Sequence, residues 1–246
     1  MVCHYDCGPT ALEFTAMKIE NRLYRLGIEP GTGCIESFFD KVSDLELITE
    51  PRLADSFRLL LPTPELEANY IIGSKQRLTS VEQDANGATL RWEAPLINSH
   101  GEFDIDVVMR IAFVDEAVEF QLSVNNRCES RLAEVWYPIL GGLTGFGEIA
   151  HTKVMLPHKG WSTAKDLFTT FPLTYQYGAP YPECRYQYPY MMPMPWLDIY
   201  NPRRNRGVYI GCHDPVPRIK YLRFELQPAV HRGPQGNWPS RDDLDD

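Results

Sequence analysis

The sequence predicts an all-β protein with a large antiparallel two-sheet architecture and few short helices. Segments in which apolar and polar residues alternate recur along most of the chain, and turn residues separate many neighbouring pairs of them. Segments with a helical apolar period are scarce. So many strands in hairpin order, over 246 residues, require two large packed sheets or a barrel rather than a compact immunoglobulin-like sandwich.

The first hairpin is predicted at residues 22–40. RLYRLGIEP alternates so that Tyr24, Leu26 and Ile28 share one face, and the GTG that follows turns the chain into CIESFFD. The two segments are therefore expected to pair as antiparallel strands.

Two further hairpins are predicted in the first half of the chain. KQRLTSVEQ and ATLRWEA flank a turn at Asp84-Ala85-Asn86-Gly87, in which Asn86 and Gly87 would supply the positive φ angles of a tight connection. FDIDVVMRIAFV and AVEFQLSVNN alternate strongly and meet across Asp115 and Glu116. The inward-facing residues of this pair are expected to include Ile105, Val107, Met109, Ile111, Val118, Phe120 and Leu122.

Strands also dominate the second half. They are predicted in LAEVWYPIL (132–140), IAHTKVML (149–156), WLDIYNP, VYIGCHDP and IKYLRFELQP, with the basic run RRNR in a solvated turn. STAKDLFTT (162–170) is expected to form a short helical turn behind a serine cap. After Pro228 no periodic apolar segment follows, which predicts a linker or a ragged tail.

The composition excludes several classes of partner. The net charge of -9 and the sequence pI near 5.2 argue against nucleic acid, because phosphate binding needs clustered lysine and arginine. No run of about 18 apolar residues occurs, so no membrane partner is expected. The N-terminus lacks a secretory pattern, which predicts a cytoplasmic location with reduced cysteines.

No cofactor and no metal are predicted. Cys3 and Cys7 flank His4, but no second pair of cysteines or histidines follows at zinc-finger spacing. The phosphate-binding loops of nucleotide enzymes are missing as well, because GGLTGFG (141–147) connects two strands and has no helix N-terminus after it.

Four polar clusters lie at predicted strand ends or in loops, where β-scaffolds most often carry binding and catalysis. They are LPHKGW with His158 and Trp161, PWLDIYN with Trp196, Asp198 and Tyr200 on one face, GCHDP with His213, and NSHGEFD with His100 and Glu102. A structural role competes in each case: the rings as core, Asp198 as a turn cap, and His213 with Asp214 closing a loop.

One stretch, FTTFPLTYQYGAPYPECRYQYPYMMPMPW (168–196), has an aromatic residue or proline at about half its positions and no apolar period. Tyrosines such as Tyr188 and Tyr190 offer apolar faces and hydroxyls, which match the C–H face and polar edges of a sugar ring. The prolines would hold the stretch extended at low entropic cost. It is therefore expected either to form a rigid sugar platform or to cover a sheet as a long loop.

The opening segment IENRLYRLGIEPGTGCIESFFDKVSDLELI resembles that of galactose-mutarotase-like supersandwich domains, through Asn21, Tyr24, Ile28, Gly31, Gly33, Ile35, Asp40 and Lys41. RLADSFRLLLP, VWYPILGGL, LPHKGW and MPWLDIYNPRRNRGVYIGCHDP resemble, in order, the N-terminal domain of an uncharacterised group of α-galactosidase-like glycoside hydrolases. In those enzymes a catalytic (β/α)8 barrel follows.

The resemblance implies an all-β supersandwich over residues 15–228, with an extension at 1–14 and a tail at 229–246 toward a catalytic barrel absent from this chain. It implies a carbohydrate ligand and the barrel as partners, and no hydrolytic carboxylate pair within these residues. The sugar contacts expected in this context are His158, Trp161, Tyr188, Tyr190, Trp196, Asp198 and His213.

Two other functions stay open. A free-standing aldose epimerase would need an acid, His158 or His213, and a base, drawn from Glu183, Glu102 and Asp198. A lectin-like or domain-interface module would instead bury the aromatic stretch against its partner without catalysis.

Overall fold

The computed structural model describes residues 17–65, 67–143, 146–147, 151–158, 161–162, 165–166, 175–176, 179–180, 183–216, 218–225, 232–233 and 236–237. The chain divides into two compact units, Met1–Leu143 and Thr144–Asp246. All described strand pairs are antiparallel, and the described helices are three-residue 3-10 turns at Pro51–Leu53 and Gly73–Lys75. The all-β prediction with few short helices is confirmed. No helix among the described residues has the length and apolar character needed to cross a bilayer.

The strands of the first unit are β1 (Met17–Glu20), β2 (Tyr24–Ile28), β3 (Ile35–Asp40), β4 (Leu45–Glu46), β5 (Arg58–Leu60), β6 (Tyr70–Ile72), β7 (Ser80–Asp84), β8 (Gly87–Trp92), β9 (Leu96–Asn98), β10 (Gly101–Phe103), β11 (Ile105–Val114), β12 (Ala117–Asn126) and β13 (Glu134–Trp136). They form sheets in the orders β1-β2-β3-β4, β12-β11-β8-β7 and β13-β5-β6, and a β9-β10 hairpin.

The hairpin predicted at residues 22–40 is present as β2 and β3. Its turn depends on Gly33, which has φ +73 and donates its N–H to the carbonyl oxygen of Glu29 at 2.8 Å. A Cβ at this position would lie 2.5 Å from the ring of Trp92. Glycine is therefore required both by the left-handed backbone and by the close approach of the core.

The turn between β7 and β8 spans the predicted residues, Asp84 to Gly87, but Asn86 does not have the positive φ expected of it. Asp84 pairs with Gly87, so the two-residue loop is Ala85-Asn86, and the Asn86 N–H donates to Asp84 Oδ1 at 2.7 Å. Gly87 has φ +150, and a Cβ there would overlap the carbonyl oxygen of Ile111 on β11. This glycine is needed for the close approach of two strands rather than for the turn itself.

The longest hairpin pairs β11 with β12 in ten-residue register across Asp115. The four β11 residues of the predicted inward set are buried: Ile105, Val107, Met109 and Ile111. The three from β12 share their face but are half-buried, because β12 is the edge strand of its sheet: Val118, Phe120 and Leu122. Only the β11 half of the set therefore belongs to the core.

Trp92 lies at the centre of the first unit's core. It is fully buried, packs edge-to-face on Phe57 at 5.0 Å between ring centroids, and donates its indole N–H to the carbonyl oxygen of Thr32 at 3.0 Å. These contacts join the β2–β3 turn to β8 and to the segment before β5.

The strands of the second unit are β14 (Lys153–Met155), β15 (Pro157–His158), β16 (Trp161–Ser162), β17 (Lys165–Asp166), β18 (Tyr175–Gln176), β19 (Ala179–Pro180), β20 (Glu183–Tyr188), β21 (Trp196–Asn201), β22 (Arg206–Gly211), β23 (Lys220–Glu225), β24 (Arg232–Gly233) and β25 (Gly236–Asn237). A four-stranded sheet has the order β17-β14-β21-β22, and the other strands form the hairpins or pairs β15-β16, β18-β19, β20-β23 and β24-β25.

Two predictions for this unit need correction. Ser162 and Lys165–Asp166 lie in strands, so the helical turn expected over 162–170 is absent from its described residues. The aromatic stretch is expected to be an extended platform or a covering loop, yet its Glu183–Tyr188 segment is a strand that pairs with β23 over six residues. Strand pairing decides both cases: Ser162 pairs with Pro157 and Asp166 with Lys153 nearby in the chain, whereas β20 pairs with the distant β23.

The predicted extension at 1–14 lies outside the described residues. Within the predicted tail, 229–246, the structure describes only the short pair β24 and β25.

Candidate functional site

Strand β21 has two contrasting faces. Leu197, Ile199 and Asn201 are buried, whereas Trp196, Asp198 and Tyr200 are half-exposed on the opposite face. The period-2 alternation of the sequence produces this division directly. Trp196 and Tyr200 are therefore not core residues, and Asp198 is part of a strand rather than a turn cap.

The turn after β21 fixes which residues of β22 join this face. Asn201 Oδ1 accepts hydrogen bonds from the backbone N–H groups of Arg203 and Arg204 at 3.0 and 3.3 Å, and Asn205 adopts φ +50. The resulting four-residue connection pairs Asn201 with Arg206. The basic run is thus a solvated turn, as predicted, and its length sets the register of the hairpin.

Residues directly opposite each other on antiparallel strands point to the same face. Asp198 has Tyr209 of β22 on one side and Met155 of β14 on the other. Trp196 lies opposite Gly211, and Tyr200 lies between Gly207 and Lys153. We name this surface the Asp198 face, comprising Lys153, Met155, Trp196, Asp198, Tyr200, Gly207, Tyr209 and Gly211.

Two aromatic rings of the Asp198 face lie side by side. The centroids of Trp196 and Tyr209 are 5.9 Å apart, and their planes are tilted by 31°. Tyr209 is 57% exposed, so its ring is available to a ligand rather than buried in packing. The two rings form a shallow apolar platform beside the carboxyl of Asp198.

Gly211 brings two polar groups to the edge of this platform. An ideal Cβ at Gly211 would lie 2.7 Å from Tyr209 Oη and 2.9 Å from His213 Nε2. The hydroxyl and the imidazole therefore converge over a backbone position that carries no side chain. Any larger residue at 211 would displace one of them.

The Asp198 carboxyl has an unusual environment. Burial raises the pKa of this carboxyl above its ordinary value, and burial is the only cause of the shift. Among the residues that the structure describes, it has no hydrogen-bond donor and no ion-pair partner. A partly desolvated carboxyl without a partner is a frequent property of binding and catalytic sites.

The other predicted contacts are not part of the Asp198 face as described. Tyr188 ends β20, in a different sheet, with Lys220 Nζ 5.5 Å from its ring centroid, and Tyr190 is exposed in the following turn. The backbones of His158 and Trp161 pair in the β15–β16 hairpin, and their side chains lie outside the described part of the structure. Of the seven predicted contacts, the structure brings together Trp196, Asp198 and His213.

Glu102 and Glu183 are the other candidate bases. Glu102 is exposed on β10 in the first unit, and only the backbone of Glu183 is described. Asp214 closes its loop by accepting from the Val216 N–H at 2.8 Å and pairing with Arg218 at 3.0 Å, which lowers the pKa of its carboxyl. Asp214 therefore has the structural role considered from the sequence, whereas His213 is exposed.

No group of three or more histidine, cysteine, aspartate or glutamate side chains is placed to hold a metal within the described ranges. Cys3, His4 and Cys7, which the sequence already disfavours as a metal site, lie outside those ranges.

Sequence reasoning missed Tyr209, Met155 and Lys153. Tyr209 could have been found from the hairpin itself, because a four-residue turn after Asn201 places Tyr209 opposite Asp198. Met155 and Lys153 carry no such signal, since β14 joins β21 from more than 40 residues away along the chain. The pairing of strands that are distant in the chain cannot be predicted from the residue pattern of either strand alone.

No protein-family model matches this chain, and a search of curated proteins finds no relative.

Proposed function

We propose that this protein binds carbohydrate on the Asp198 face. The observation that carries the proposal is the side-by-side placement of the Trp196 and Tyr209 rings next to the unpartnered carboxyl of Asp198. A pyranose has an apolar C–H face that stacks on aromatic rings and hydroxyls that need acceptors at its edge.

Each group has a defined part in such binding. The two rings supply apolar contact, and Asp198 accepts hydrogen bonds from sugar hydroxyls. Tyr209 Oη and His213 Nε2, which meet over Gly211, contact the opposite edge of the sugar. Because the carboxyl has no partner to exchange among the described residues, its bond to a hydroxyl replaces a bond to water.

The biological setting that we propose is the N-terminal accessory domain of a glycoside hydrolase. The resemblance to galactose-mutarotase-like supersandwich domains supports this setting, since the block MPWLDIYNPRRNRGVYIGCHDP supplies most of the Asp198 face. In that setting the domain packs on a catalytic (β/α)8 barrel and contributes these side chains to the sugar site. This part of the proposal rests on analogy of fold.

Saturation-transfer NMR with the full chain tests the binding proposal. Methyl glucosides and galactosides are expected to receive saturation from the protein, and Trp196→Ala is expected to abolish the transfer. Tyr221→Ala removes an exposed ring on β23, outside the Asp198 face, and serves as the control. Transfer that persists in Trp196→Ala, or that is equally lost in Tyr221→Ala, would refute a site on the Asp198 face.

A second candidate is an aldose epimerase, favoured by one observation. His213 and Asp198 both border the Trp196–Tyr209 platform, and burial raises the pKa of the Asp198 carboxyl toward the range of a general acid or base. Acceleration of anomeric exchange in freshly dissolved α-glucose, lost in both His213→Ala and Asp198→Asn, would establish this activity. Exchange at the uncatalysed rate on glucose and galactose would leave binding alone.

A further inference from the structure

The surroundings of the Asp198 carboxyl indicate which kind of sugar would fit the Asp198 face best. Other carboxylates of this chain are neutralised by protein donors: Asp106 accepts from Arg127 and from the Ala94 N–H, and Asp84 accepts from Arg110. Asp198 has no such donor within the described residues, although its partial burial removes some of the water around the carboxyl. Its negative charge is therefore available to a cationic group of a ligand.

Aromatic rings flank the carboxyl along and across the strand. Trp196 and Tyr200 precede and follow Asp198 on the same face of β21, and Tyr209 lies directly opposite. The negative faces of aromatic rings attract cations, with tryptophan strongest, and combine well with a carboxylate in binding an ammonium group. Met155 completes the ring of apolar neighbours on the β14 side.

The described cationic and titratable groups near Asp198 do not neutralise the charge of its carboxylate. Lys153 lies on the same face but opposite Tyr200, and no salt bridge joins it to Asp198 in the described structure. On β17, Asp166 occupies the register position opposite Lys153. His213 lies beyond Gly211, beside the hydroxyl of Tyr209. None of these groups supplies the missing cation.

We propose that the preferred ligand of the Asp198 face is an amino sugar whose protonated primary amine pairs with Asp198 while its ring stacks on Trp196 and Tyr209. The inference rests on the proposed carbohydrate function and specifies its substrate class. A neutral hydroxyl can occupy the same place, but an ammonium group also forms an ion pair and contacts the aromatic rings.

Three β-1,4-linked tetrasaccharides of glucose type separate the contributions, because they differ only at C2. Cellotetraose carries a hydroxyl, the chitosan tetramer a protonated amine, and the chitin tetramer an acetamide. Isothermal titration calorimetry with the full chain at mildly acidic pH is expected to give an affinity for the chitosan tetramer about tenfold or more above cellotetraose, as for a hydrogen bond to a charged group.

Asp198→Asn provides the decisive variant, since it keeps the shape of the side chain and removes its charge. It is expected to reduce the preference for the amine to within about twofold while leaving the ring-dependent binding of cellotetraose. Glu119→Gln, at an exposed carboxylate on β12, makes the same change in net charge and is expected to keep the preference. Thermal unfolding of each variant checks that it is folded.

The outcomes distinguish the two proposals. Equal affinity for the amine and hydroxyl tetramers, with both lost in Trp196→Ala, would overturn the amino-sugar inference and support the carbohydrate site. A preference that survives Asp198→Asn, or that disappears equally in Glu119→Gln, would also overturn the inference. Absence of binding by all three tetramers and by the methyl glycosides would overturn both.

Discussion

Asp55 of the first unit has a fully buried carboxylate. It accepts hydrogen bonds at 2.9 Å from the N–H groups of Ser56 and Ser74 and from Arg58 Nε. These bonds tie the segment before β5 to the turn after β6. A buried charge is tolerated because each bond compensates part of its lost hydration.

Replacing Asp55 by Ala should therefore be costly. We expect a loss of about 3–5 kcal/mol in the free energy of unfolding, because Arg58 and two backbone N–H groups lose their acceptor. Urea denaturation followed by fluorescence measures this change. Glu102→Ala, at an exposed carboxylate, is the control, and a similar small effect in both variants would contradict the assigned role.

The buried thiol of Cys34 leads to a second prediction about a single residue. Burial, together with the nearby carboxylates of Asp55, Glu29 and Glu36, raises the pKa of its thiol to about 12. Almost no thiolate therefore exists at mildly alkaline pH, and the thiolate is the reactive form. We expect iodoacetamide at pH 8 to modify Cys34 only after unfolding, and to modify the half-buried Cys128 and Cys212 faster. Rapid labelling of native Cys34, detected by mass spectrometry, would argue against this burial.

At the scale of elements, hairpins are where sequence and structure agree best. Alternation and turn residues predicted β2–β3, β7–β8, β11–β12 and β21–β22, because these pairings are local in sequence. They did not predict β20–β23, whose tyrosines and flanking prolines obscure the period, and they wrongly assigned a positive φ to Asn86 in the β7–β8 turn. The shared face of Trp196 and Asp198 could be predicted, whereas Met155 beside it depends on a strand distant in sequence.

Two glycines with positive φ allow a matched test of the β2–β3 turn. Gly33→Ala combines an unfavourable backbone conformation with overlap against Trp92, so we expect a loss of about 2–4 kcal/mol in unfolding free energy. Gly101→Ala has φ +126 but open space around its Cβ, so only the backbone contribution of about 1–2 kcal/mol remains. Equal losses would show that packing against Trp92 contributes nothing.

For the whole molecule, the periodicity of apolar residues predicted the fold class, which the structure confirms, whereas the function stays a proposal. The scarcity of helical periods sufficed for an all-β chain, since hydrophobic alternation is required wherever a sheet has one buried face. The supersandwich resemblance, the domain bounds and the carbohydrate role stay predictions. They concern relationships and partners, which individual strands do not encode.

The net charge of -9 adds a long-range component to the proposed binding. It attracts a cationic oligosaccharide toward the protein and does not act on a neutral one. We expect the affinity for the chitosan tetramer to fall several-fold between about 0.05 M and 0.5 M salt, with cellotetraose unchanged. Equal salt dependence for the two ligands, measured by calorimetry, would rule out an electrostatic preference.

The bare backbone at Gly211 also constrains how this protein can evolve. Because the end groups of Tyr209 and His213 occupy the space of a side chain there, a larger residue at 211 displaces at least one of them. The effect of a substitution at 211 therefore depends on which residues occupy 209 and 213. In an ancestral lineage that acquired bulk at 211 first, a tyrosine or histidine gained later at 209 or 213 would have taken a different position.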